Sequence, residues 1–71
     1  MTTETRKKIE EAAWKGCVMP DGLDPYEQVY FHGISFIFHN YRIKAINADT
    51  VKLYQESLLT ECERLQREVA E

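Results

Sequence analysis

Apolar residues recur at the three-and-four spacing of helices in three stretches of the chain, and two short interruptions separate them. In the first stretch Ile9, Ala12, Ala13, Gly16 and Cys17 line one narrow stripe of small side chains, which predicts a helix over about 3–18 that another helix can approach closely. Thr3 or Thr5 is suited to cap it, Glu4 fits its first turn, and Trp14 lies well off the stripe. The segment MPDGLDP, with Pro20, Gly22 and Pro25, then forbids a continuous helix. Asp24 as N-cap, Pro25 at the first helical position and Glu27 three residues after the cap form a start signal for a second helix over about 24–46. GISFIF has strand propensity, but strict alternation fails at Ile37, and the start signal belongs to a helix. After the polar step NADT, Asn47 is the candidate cap of a third helix over about 48–70. Its stripe is Val51, Tyr54, Leu58, Cys62, Leu65 and Val69.

The second helix is apolar over far more than the third of its circumference usual for a surface helix. Tyr26, Tyr30, Gly33, Ile34, Ile37 and Tyr41 share one broad arc, extended on one side by Val29, Phe36 and Ile43 and on the other by Phe31, Phe38 and Ala45. Only Gln28, His32, Ser35, His39 and Arg42 form a polar strip. The expected architecture is all-α: a short N-terminal helix followed by a long antiparallel helical hairpin, oligomerising through the aromatic second helix. The interface candidates are Tyr30, Phe31, Ile34 and Phe38. A plain three-helix core would hide many of these rings, but leaves Phe31, Phe38 and Leu53 unexplained.

Length sharpens that expectation. Seventy-one residues make a single helical domain, and a chain of that size buries only about 60% of its unfolded surface. Two cysteines make no disulfide scaffold, and no Cys/His spacing suits zinc, so a homo-oligomer is the remaining route to more buried area. The charged start shows no signal peptide, and no apolar run nears the roughly 18 residues of a membrane span, so a cytoplasmic protein without membrane contact is expected. A net charge of −3 disfavours nucleic acid as partner.

The chemistry expected is binding, not catalysis. No P-loop, GxGxxG, HExxH or nucleophile context occurs. His32 and His39 stand two turns apart and cannot share a metal within one chain. Glu10 and Glu11 read as neighbours on a solvated face, and Cys17 and Cys62 as small core residues. No enzyme, cofactor or metal is expected. The group HNYRIK joins His39, Tyr41, Arg42 and Lys44 at a helix end, where a carboxylate or phosphate would find donors and a stacking ring. Basic residues there also suit the helix dipole without any ligand. Arg6, Lys7 and Lys8 read as a solvated face, or as the second half of a basic pocket completed between subunits.

PDGLDPYEQVYFHGISFIFHNYRIKAINADTVKLYQ, roughly residues 20–56, resembles the very small helical proteins encoded by phages and prophages. The features that carry the likeness are the P-D-G-L entry, E-Q opening a long aromatic helix, Y-R near its end and the turn into an acidic, Lys- and Gln-bearing helix. The resemblance implies a protein that blocks or sequesters a host component, either by docking on a host defence protein or, as a sponge, by trapping a signalling nucleotide. A structural or regulatory assembly subunit without a ligand is the other reading.

Overall fold

The computed structural model describes residues 1–70, and the side chains of residues 1–68. Three helices account for its regular structure: α1 (Thr3–Lys15), α2 (Pro25–Arg42) and α3 (Ala48–Ala70), with no strand among the described residues. Val69, expected on the inner stripe of α3, lies outside the described side chains.

Each start has a cap that the sequence supplies. Thr2, one residue earlier than expected, accepts from the Thr5 amide. Asp24 and Glu27 form a reciprocal capping box, with Asp24 Oδ1 accepting from the Glu27 amide at 2.8 Å and Glu27 Oε1 from the Asp24 amide at 3.0 Å. Asn47 Oδ1 accepts from the Thr50 amide at 2.8 Å. Such caps satisfy amides that a helix start would otherwise leave unpaired, each contributing about 1 kcal/mol.

Two ends differ from expectation. α1 stops at Lys15 and not near Val18, because Gly16 takes a left-handed backbone (φ 70°) and the Cys17 amide turns back to the Ala12 carbonyl. Cys17 is thereby carried off the stripe and is exposed, not core. α2 stops at Arg42 and not near Ile46: Lys44 adopts φ 63°, its amide bonds to the Tyr41 carbonyl and the Ala45 amide to the Asn40 carbonyl.

The core is built on α2. Ile9 and Ala13 of α1, Tyr30, Phe31 and Ile34 of α2 and Cys62 of α3 are buried together, with Ile9, Tyr30 and Ile34 wholly inaccessible. Burying Ile9 and Ile34 contributes about 1.5–3 kcal/mol each. α1 lies against α2, and so does α3. Gly33 sets the approach of α3: a Cβ there would stand 2.5 Å from Leu58 Cδ2. Gln66 donates to Asp24 Oδ2 at 2.7 Å, tying the late part of α3 to the start of α2.

Tyr30, Phe31 and Ile34 were expected at an oligomer contact and are instead core of a single chain, since the small residues of α1 let its backbone settle over them. Phe38 is half-buried against the same core. The apolar surface left uncovered lies elsewhere, at Val29 (55% exposed), Phe36 (67%) and Ile43 (59%) of α2 and its cap, with Tyr54, Leu53 and Leu65 on α3. The inner face of α3 also differs from the expected stripe. Tyr54 and Leu65 are exposed, while Gln55, Leu59 and Gln66 turn inward.

Candidate functional site

The polar centre of the molecule is structural. Glu10 Oε1 accepts three hydrogen bonds: from Arg6 Nε at 2.8 Å, Tyr30 Oη at 2.7 Å and Gln55 Nε2 at 2.7 Å. One carboxylate oxygen thus collects a donor from each helix. Burial works to raise the Glu10 pKa, but these three bonds outweigh it and hold the carboxyl below its ordinary value. The Tyr30 hydroxyl is pushed well above its ordinary value, first by burial and then by its bond to Glu10. Glu10 is therefore not the solvated neighbour of Glu11, and Arg6 is committed to it. No buried side-chain polar atom among the described residues lacks a partner.

A cluster of exposed rings and cations gathers where α1 and α2 finish and α3 begins. Trp14 stands edge-on to Phe38 with ring centroids 5.3 Å apart, and its ring lies 6.2 Å from that of Tyr41. The Arg42 guanidinium sits over Trp14, 4.7 Å from the ring centroid. Two open clefts adjoin this cluster and share Tyr41 as a wall. One, of about 730 Å³, follows the turn between α2 and α3 and is lined by Tyr41, Arg42, Lys44, Ala45, Ile46, Asn47 and Thr50. The other, of about 250 Å³, lies between the three helices and is lined by Trp14, Phe38, Tyr41, Ala48, Val51, Lys52 and Gln55. No carboxylate lines either cleft, although acids outnumber bases in this chain by 12 to 9. Arg42, Lys44 and Lys52 make no ion pair among the described residues.

Of the residues singled out in the sequence, the fold brings Tyr41, Arg42 and Lys44 together. His39 lines neither cleft and is exposed. Arg6, Lys7 and Lys8 belong to the opposite part of α1: Arg6 precedes Trp14 by eight residues, about 12 Å along a helix. Lys7 and Lys8 are exposed. Trp14 and Lys52 are the site residues that periodicity missed. The available signal was a tryptophan off the packing stripe of a helix whose stripe is otherwise small, which needs a lateral partner.

Among the described residues no three His, Cys, Asp or Glu side chains gather as a metal site. None of the described helices is long and apolar enough to cross a membrane. Comparison with family models, with curated proteins and with solved structures finds no match to this chain.

Proposed function

We propose that this chain is a non-enzymatic binding protein, of the kind phages and prophages encode, that sequesters a small anionic ligand bearing a flat ring, with a signalling nucleotide of the host as the best fit. One observation carries the reading. At a single end of an acidic chain, three cations that make no ion pair among the described residues (Arg42, Lys44, Lys52) stand beside the exposed rings of Trp14 and Tyr41, around clefts lined by no described carboxylate. Stacking of a base on an aromatic ring contributes about 1–3 kcal/mol. Arg42 is the one planar donor able to grip a phosphate with two parallel hydrogen bonds, while the lysines act as point charges.

The antiparallel α2–α3 hairpin belongs to this reading, since it sets the end of α2 beside the start of α3. The Gln66–Asp24 hydrogen bond and the Leu58–Gly33 approach support it. Lys44 adds a second support. A non-glycine residue in the left-handed region costs about 1–2 kcal/mol, and backbone strain of that kind concentrates at functional sites.

Trp14 is the one tryptophan of the chain, so its fluorescence reports the site directly. Nucleoside monophosphates and cyclic dinucleotides are expected to change Trp14 emission, inorganic phosphate to do so weakly, and added salt to loosen the complex. Arg42→Glu abolishes the response while leaving the helical circular dichroism intact. A wild-type protein indifferent to every nucleotide at millimolar concentration overturns the reading in favour of an assembly subunit without a ligand.

A further inference from the structure

Gln55 belongs to two places at once. Its Nε2 donates to Glu10 Oε1 at 2.7 Å in the polar centre, and the residue is also a wall of the smaller cleft, with Trp14, Tyr41 and Lys52. The first place dictates what Gln55 offers at the second. Glu10, with Arg6 and Tyr30 donating to the same oxygen, is an ionised carboxylate, and a carboxylate only accepts. The Gln55 amide must therefore turn its NH2 toward Glu10 and cannot flip, which leaves Oε1 on its other side. Oε1 takes no hydrogen bond among the described residues. It is open to solvent, since no buried side-chain polar atom among those residues lacks a partner.

That oxygen differs in kind from its neighbours. The other polar side chains of the cleft wall are all able to donate: the Lys52 ammonium, the Trp14 indole N–H and the Tyr41 hydroxyl. Gln55 Oε1 alone accepts and cannot donate. An amide already held from behind loses little freedom when a ligand arrives, so a ring that donates to it gains most of the hydrogen bond. A ring without a donor strips water from the oxygen and returns nothing.

Resting on the nucleotide reading above, we propose that the smaller cleft takes a nucleobase whose edge carries an amine donor, with Gln55 Oε1 as its acceptor and Glu10 as the positioning residue behind it. Glu10 meets no ligand; it keeps the acceptor turned outward. Lys52 stands three residues earlier on the same face of α3 and supplies a donor for the ring nitrogen next to the amine.

Calorimetric titration with adenosine 5′-monophosphate and with purine riboside 5′-monophosphate, which differ only in the 6-amino group, tests it. The wild-type protein is expected to bind the amino compound about two- to tenfold more tightly, the worth of one hydrogen bond. Gln55→Met removes the acceptor at similar length and is expected to bring the two affinities together, weakening the first and sparing the second. Glu10→Gln acts in the same direction, because a carboxamide in place of Glu10 donates as well as accepts and no longer fixes the Gln55 amide. A purely structural role for Gln55 and Glu10 lowers both affinities in step and leaves their ratio unchanged, and that result overturns the proposal. Equal affinities in the wild type also overturn it, a comparison that stands whether or not a variant folds. Binding of neither compound at millimolar concentration overturns the nucleotide reading itself, and this proposal with it.

Discussion

Lys44 closes α2 with the backbone geometry by which Gly16 closes α1. In both caps the left-handed residue (φ 63° and 70°) bonds three residues back, Lys44 to Tyr41 and Gly16 to Ala13. The following amide reaches five residues back, Ala45 to Asn40 and Cys17 to Ala12. Glycine takes this position without steric cost, and lysine does not. The chain therefore holds a cation at the turn cleft where a glycine would fold better.

Lys44→Gly is accordingly expected to stabilise the fold, by about 1 kcal/mol, and to weaken anion capture. Thermal denaturation checks the first effect and the Trp14 titration the second. A variant that melts lower would show that the Lys44 side chain holds the turn together.

Glu10 sets the pH limits of stability. Its pKa is lowered in the fold, so its contribution is complete above the ordinary glutamate value of about 4.3 and fades as pH falls through the lower folded value. Tyr30 behaves in the opposite sense. Its raised pKa gives a contribution that is complete below about pH 10 and lost as pH rises through the folded value. Tyr30→Phe is expected to cost about 1.5–3 kcal/mol at neutral pH, the range for a hydrogen bond to a charged group. Glu10→Gln should cost a similar amount and flatten the acid limb of a urea-midpoint profile. An acid limb unchanged in Glu10→Gln would mean that other carboxylates govern acid unfolding.

The two cysteines should separate cleanly. Cys17 is free and exposed after the α1 cap, whereas Cys62 is buried, and burial, aided by Asp24, Glu61 and Glu63, pushes its thiol pKa up. A disulfide reagent is expected to titrate one thiol per native chain quickly and the second only after unfolding. Cys17→Ser should leave the native protein unreactive, and two fast thiols in the wild type would contradict the packing of α3.

The starts of the helices were legible because they are written in local chemistry: Asp24, Pro25 and Glu27 declare α2, and Asn47 declares α3. The ends were not, since Gly16 and Lys44 stop helices by backbone conformation, and Lys44 gives no sign of that in its residue type. The face of α3 was misjudged for a different reason. Reading polar residues as outward hides Gln55, which turns inward because Glu10 accepts from it, and leaves Tyr54 counted as core. On α2 the excess of apolar residues was visible, but its division was not. Periodicity shows that an arc is too wide; only the seat taken by α1 shows that Tyr30, Phe31 and Ile34 are covered while Val29 and Phe36 are not. Likewise Arg42 could be singled out from sequence, and its companion Trp14, 28 positions earlier, could not.

Trp14 lies one residue before the end of α1, and helix ends are where fraying begins. Its partners Phe38, Tyr41 and Arg42 all belong to α2, so the smaller cleft, which Trp14 lines, exists only while the last turn of α1 is folded down. Any ligand of that cleft would make its occupancy and the closure of that turn one equilibrium. A ligand bound in that cleft would slow hydrogen exchange at the amides of Ala13 to Cys17. A mutation that loosens the Gly16 cap would weaken binding without altering any residue that meets the ligand.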